Sequence, residues 1–474
     1  MSRGTAPFPG GLSSHGVMKV VPPRMSIISL GCAKNATLSE EVAARFGMAG
    51  YVISADPSSS DVVILNTCGF IANAREEVMR ELKTLAPWRK AGAIKYLVGY
   101  GCMVQGFLDE LQNGFPQVDL WVGSASPDRL FSLIQAKTRG VWLQVGWDKL
   151  SGNVPVRLYS TPASYAYIRI SDGCNNLCGY CSIPRLRGPL RSRPRMTVLR
   201  EAQEIVASGR KEIVLIGQDI AAFGRERGNG ELPELIRRLG ALEGLEWLRL
   251  LYLHPANITD EIIEAFASAP KVVPYLDIPI QHLDDKILAA MGRKTTWKQI
   301  RTLFDKIRNA RPDTAFRTSI IVGFPGEGKP EFTRLLKRLD ELDVTHVGAF
   351  TYSPERDTKA FELGDTVSKR EKQARMDELM AAAQERAFAL SESRIGVRTP
   401  VLVDYVAERD GKDVSIGRTP CEAPEVDGVV IVEGAHEPGT MLDARITAAE
   451  GYDLTARIVR TKARRAPENV DTPG

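Results

Sequence analysis

Along the 474-residue chain, short apolar runs alternate with longer stretches in which apolar residues recur every three or four positions. Residues 25–30 form the first run, and Leu38, Val42, Phe46 and Ala49 then share one helical face. Residues 61–66 (DVVILN) and 94–100 repeat the run, with a helix expected over about 71–85 between them, and 118–122 supplies a fourth strand. Short apolar strands separated by amphipathic helices predict a parallel sheet covered on both faces.

The alternation restarts after a connection at about 140–161. Strands are expected at 166–171, 212–216, 247–252, 275–280, 316–322 and 344–351, and Val198, Leu199, Ala202, Ile205 and Val206 mark a helix after the first. Six such strand–helix units predict a β/α barrel or partial TIM barrel, whose chemistry belongs on the loops after the strands. A polar helix over 368–394 then hands over to strand-like runs at 400–406, 429–432, 441–448 and 452–459, which predict a small antiparallel β-barrel. The expected organisation is an α/β multidomain chain: a flexible tail 1–24, an N-terminal parallel α/β domain 25–140, a linker 141–165, a core 166–395, a C-terminal barrel 396–462 and a tail 463–474.

Composition narrows the class. Hydrophobic content of 43% and charged content of 25% are ordinary for a soluble globular protein. No apolar run approaches the roughly 20 residues of a membrane helix, and the first 24 residues lack the apolar core of a signal peptide, so a cytoplasmic location without membrane contact is expected. Seven cysteines without an export signal point to metal or catalytic use, not a disulfide framework. The chain carries a net +4, yet residues 400–460 hold twelve acidic and six basic residues. A phosphate-binding surface wants the opposite sign, so the barrel argues for a basic protein partner over direct nucleic-acid binding.

The cysteines carry the chemistry. Cys174, Cys178 and Cys181 form a C-x3-C-x2-C run after the first strand of the core. Structural zinc is normally closed by four protein ligands, and no His or Cys between 182 and 215 supplies a fourth, so an iron–sulfur cluster with one open iron is favoured; spacing alone leaves zinc open. Cys32, Cys68 and Cys102 each follow a predicted strand, in Leu30-Gly31-Cys32, Thr67-Cys68-Gly69 and Tyr100-Gly101-Cys102. Parallel strands place all three at the sheet edge where open α/β folds bind ligands. This second set is also one ligand short. Cys421 stands alone and reads as a small buried hydrophobe. Gln218, His254, Gln281-His282 and the turn Gly323-Phe324-Pro325-Gly326-Glu327 follow the later core strands. One such His is usually structural, but several polar groups on one rim shift that balance.

The C-x3-C-x2-C run, with Ile183-Pro184, Arg187-Gly188 and Arg191-Ser192-Arg193-Pro194 after it, resembles the radical S-adenosylmethionine (SAM) methylthiotransferases. Residues 25–460 resemble their three-domain order, which ends in a TRAM barrel. Gly217-Gln218-Asp219, Asp277-Ile278-Pro279-Ile280-Gln281-His282, Ala423-Pro424-Glu425-Val426-Asp427-Gly428 and Asn66-Thr67-Cys68-Gly69-Phe70-Ile71 resemble the RimO-type branch, which modifies an aspartate of ribosomal protein uS12. The alternative is the branch that modifies tRNA adenosine.

The resemblance implies two 4Fe–4S clusters. One, on Cys174, Cys178 and Cys181, binds SAM and releases a 5'-deoxyadenosyl radical; the other, on Cys32, Cys68 and Cys102, carries the sulfur that a second SAM methylates. It implies an external electron donor, and as substrate uS12, free or in the small ribosomal subunit, with 3-methylthioaspartate as product. Cofactor-pocket roles fall to Tyr180, Gln218, Gly323 and Pro325, with Tyr180 reading almost equally well as a core residue, and no catalytic side chain is implied beyond the cluster ligands. Arg187, Arg191 and Arg193 read either as a carboxylate-holding set or as a solvated basic loop. Two positions depart from the family's pattern: Ala33 stands where Pro is frequent, and Leu38 where Asp is frequent, which puts in doubt a polar role there. Lys329-Pro330 after Glu327 and the N-terminal tail are also unusual, and neither carries an assigned role.

Overall fold

A computed structural model of the chain describes residues 21–145, 152–228 and 230–459. The expected tails fall outside these residues except for 21–24, and part of the expected linker falls outside them too. The N-terminal sheet has six parallel strands in the order Val52–Ile53, Arg24–Ser29, Val62–Thr67, Tyr96–Gly101, Leu120–Val122, Gly140–Trp142. Two separate apolar clusters, one containing Val42, Phe46 and Val98 and the other Leu65, Leu82 and Leu97, show that both faces are covered. The outermost strands were not predicted. Val52–Ile53 is two residues long, and Gly140–Trp142 is a largely exposed edge at the start of the expected linker, so neither shows a period. The helix Ala33–Met48 buries Leu38, Val42 and Phe46 completely. Leu38 is therefore a core residue, and its apolar character is a packing choice.

The core is an open sheet of six parallel strands: Tyr165–Arg169, Glu212–Ile216, Trp247–Leu250, Val272–Asp277, Ala315–Val322 and His346–Thr351, neighbours in that order. Its first and last strands do not pair, so the barrel is partial. A two-stranded antiparallel clip, Ser171–Asp172 against Arg191–Ser192, staples the two ends of the cysteine loop and left no signal in the sequence.

The C-terminal barrel is closed by Arg398–Arg409, Lys412–Arg418, Val430–Glu433, Asp453–Ile458 and Met441–Glu450, in that order. Four of its pairs are antiparallel, as expected, but Val430–Glu433 and Asp453–Ile458 run parallel. The cause is parity. A ring of strands can alternate direction throughout only if their number is even, and the unexpected strand Lys412–Arg418 makes it five.

Buried ion pairs join the three domains. Arg157, from the connecting stretch, pairs with Glu40 of the N-terminal domain and with Glu201 of the core, and all three side chains are 2% exposed. Glu212 in the core meets Arg249 and the barrel's Arg418, which also grips Asp404. Asp427 of the barrel accepts from Arg317 and Tyr275, and Glu425 from Tyr165 and Tyr167. Glu422 pairs with Arg394. Four of the barrel's twelve acidic residues are thus committed inward, which weakens the charge argument for a basic partner made from the sequence.

Candidate metal centres

Cys32 caps the N-terminus of the helix Ala33–Met48, Cys68 directly follows the strand Val62–Thr67, and Cys102 opens the helix Cys102–Gly106 after Tyr96–Gly101. These strands are adjacent and parallel, which brings the three thiols to one edge. Gly31 makes this possible. Its φ is +92°, and a Cβ there would lie 2.8 Å from the Cys68 Sγ. Asn35, three residues after Cys32, donates to the carbonyls of Leu30 and Thr67 and so ties two strand ends together.

The second set lies across the domain boundary, on the loop after Tyr165–Arg169. Asn176 donates to the Cys174 Sγ at 3.3 Å and to Asp219 at 2.8 Å. Asp219 also accepts from Asn257 at 2.6 Å and from the His254 backbone N–H, so one buried carboxylate organises three loops. His254 Nδ1 accepts from the Ala256 N–H, which assigns the ring proton to Nε2, 3.9 Å from the Cys178 Sγ. Burial, then Arg293 and Lys294, pushes His254 down to about 2, so the ring is neutral. Arg293 reaches the Cys178 Sγ at 3.6 Å and the Tyr180 hydroxyl at 3.4 Å.

Arg187 ties the first set to the core. It stands at the end of the helix Ile183–Arg187, which docks on the N-terminal domain through Ser124, whose hydroxyl donates to the Leu186 carbonyl, and Arg185, which donates to the Gly106 carbonyl. Its guanidinium donates to the Cys102 Sγ at 3.1 Å and to Asn35 at 2.8 Å, and lies 3.6 Å from Asp172. Asp172 in turn accepts from Gln218 at 2.9 Å. A continuous polar chain thus runs from the Cys102 thiol to Gln218. The basic loop is not solvated: Arg187 and Arg193 are buried and pair with Asp172 and Glu201 of the chain itself.

The thiols differ in their surroundings. Burial pushes Cys68 and Cys174 up to about 11 and Cys181 up to about 12, and raises Cys102. Cys32 differs. Its surroundings would raise it, but Lys34, the Asn35 N–H and Arg187 together hold it below the ordinary thiol value. Among the described residues no three His, Cys, Asp or Glu side chains converge tightly enough to hold a single metal ion. In a four-iron cluster each thiolate bonds a different iron, so convergence on one point is not required. Beside the second set, the Gln218 Oε1 is buried without a hydrogen-bond partner, an acceptor waiting for a donor. Tyr180 packs against the apolar cluster that holds Phe324 and Tyr352, which brings it to the turn carrying Gly323 and Pro325. Gly323 itself faces the aliphatic stem of Lys372, and its N–H donates to Glu327, which Arg375 holds. His282 is fully buried and 3.4 Å from Glu327, a structural position.

The cysteines of each set therefore lie near one another, with Gln218 on Asp172 and Tyr180 on Arg293 close to the second set. Lys34, Asn35, Asp172, Asn176, Asn257 and Arg293 were missed. Asn176 lies inside the cysteine run and Lys34-Asn35 just after Cys32, so proximity in sequence could have found them. Arg293 follows a helix more than a hundred residues downstream and carries no such signal.

Comparison with known proteins agrees with this layout. Residues 168–339 match the radical SAM superfamily, 24–123 the uncharacterized protein family UPF0004 and 395–459 the TRAM domain. In fold alone the chain is similar to the radical S-adenosylmethionine methyltransferase TsrM from Kitasatospora setae, with a TM-score of 0.52, 15% identity, and coverage of 70% of this chain and 72% of that one. Among curated relatives, the ribosomal protein uS12 methylthiotransferase RimO of Syntrophotalea carbinolica is 41% identical over 92% of this chain and 97% of its own length. That of Geobacter sulfurreducens is 40% identical over 92% and 98%. The chain belongs to the RimO family of radical SAM proteins.

Proposed function

We propose that this protein is a radical SAM methylthiotransferase that places a methylthio group on the β-carbon of an aspartate in ribosomal protein uS12, giving 3-methylthioaspartate. The observation that carries this reading is the pair of three-cysteine sets on facing domains, with Arg187 of the core reaching Cys102 of the N-terminal set, in a chain whose relatives bear that name over more than nine-tenths of its length. The target carbon offers no acidic proton, so general acid–base groups cannot open its C–H bond. A 4Fe–4S cluster with SAM supplies, when bound, the one-electron chemistry that can, and a second cluster supplies the sulfur.

Cys174, Cys178 and Cys181 would hold the first cluster, and Cys32, Cys68 and Cys102 the second. Asn176, His254 and Arg293 face the sulfurs of the first set and Arg187 that of Cys102, where they stabilise negative charge and fix the side chains. Gln218 offers its free Oε1 to the SAM pocket, and Tyr180 with the turn at Gly323 and Pro325 forms its wall. An external electron donor completes the reaction. Among the described residues no helix is long and apolar enough to cross a membrane, and action on a ribosomal protein agrees with a cytoplasmic location.

Anaerobically reconstituted protein, given SAM, a reductant, uS12 and tRNA together, is expected to add one methylthio group to uS12 and none to tRNA, read by mass spectrometry. Transfer to tRNA alone would overturn the substrate assignment.

A further inference from the structure

We infer that Lys34 is the residue that recognises the carboxylate of the substrate side chain, an inference that rests on the methylthiotransferase reading above. Lys34 lies two residues after Cys32 in the helix Ala33–Met48, whose first turn holds no acidic residue. Its side chain leaves the N-terminal domain and ends with the ammonium 3.5 Å from the centroid of the Tyr252 ring. Tyr252 follows the third core strand, on the rim where the cysteine loop also sits, and holds a φ of +66° that a tyrosine rarely adopts. Lys34 therefore bridges the auxiliary thiols and the mouth of the core.

Its ammonium meets no carboxylate at pairing distance among the described residues. The arginines that tie the domains together, Arg157, Arg187, Arg317 and Arg418, each meet a carboxylate. For Lys34, Tyr252, Cys32 and Asp277 favour its charge in that order, Asp277 from beyond pairing distance, and the Asp277 carboxylate accepts from the Tyr252 N–H. An aromatic ring holds a cation in place without neutralising it, which leaves the ammonium free for an incoming anion. The substrate fits that vacancy in charge: the carbon to be modified is bonded directly to the carboxylate carbon, so fixing the carboxylate fixes the reacting C–H bond.

The test uses reconstituted holoenzyme and two uS12-derived peptides that differ only in Asp or Asn at the modified position. Wild-type protein should favour the Asp peptide by at least about 10-fold in kcat/KM, as a charge-assisted contact implies. Lys34→Met should bring the two peptides within about 3-fold, chiefly by raising KM for Asp, with iron content and SAM cleavage retained, and Lys34→Arg should restore the preference. If Lys34→Met loses iron, Lys34→Gln, polar and uncharged, gives the same readout. A variant that retains iron and still prefers Asp as strongly as wild type overturns the assignment. Wild-type protein that cleaves SAM yet modifies neither peptide overturns the parent reading, and this one with it.

Discussion

Arg187 meets a thiol, an amide and a carboxylate from three different segments while only 4% exposed. Desolvation works against its charge, but Cys102, Asp172, Tyr100 and Cys32 outweigh it and raise the guanidinium above its ordinary value. A residue so placed is costly to remove, because its buried partners are left unpaired. Arg187→Leu is expected to destabilise the cluster-free protein by about 3 kcal/mol and to lower its melting midpoint by roughly 5–10 °C. Arg187→Lys should recover only part of this, since an ammonium cannot reproduce the fork geometry. An unchanged melting midpoint in Arg187→Leu would mean that the bridge contributes nothing to the fold.

Among elements, what could be read in the sequence was what carries a period or a spacing. Buried parallel strands are continuous apolar runs, so Val62–Thr67 and Tyr96–Gly101 were legible, and with them the common edge of Cys32, Cys68 and Cys102. The clip of Ser171–Asp172 against Arg191–Ser192 was not, because two-residue strands show no alternation and its pairing depends on the whole loop between them. Lys412–Arg418 was hidden by its charged ends and by Gly417, where a Cβ would meet the Leu402 carbonyl at 2.4 Å, and missing it concealed the parallel pair that closes the barrel. The candidate site divides likewise. The candidate cysteines declare themselves by spacing or by their places after strands, whereas Arg293 and Asn257 reach the cysteine loop only through tertiary folding.

On the scale of the whole molecule, the domains are held by buried carboxylates whose titration should show. Burial alone would raise Glu212, Glu201 and Asp427, but Arg418 and Arg249, Arg193 and Arg157, and His346 and Arg317 respectively hold each below its ordinary value. A folded-state value that is lowered gives stability that is present above the ordinary values of 4.5 for Glu and 3.8 for Asp, and is lost as the pH falls through and below them. Small-angle scattering of the cluster-free protein is therefore expected to show constant dimensions from pH 7 to about 5 and expansion below about 4.5 as the domains separate. Constant dimensions down to pH 3 would contradict it.

On the proposed function the two cysteine sets make separable contributions, and a comparison of Cys174→Ala with Cys32→Ala tests this most directly. Wild-type reconstituted protein should hold about eight irons, and each variant about four. Cys32→Ala should still produce 5'-deoxyadenosine from SAM while losing methylthio transfer, and Cys174→Ala should produce none. Reductive SAM cleavage by Cys174→Ala, or full methylthio transfer by Cys32→Ala, would contradict the division of labour between the two sites.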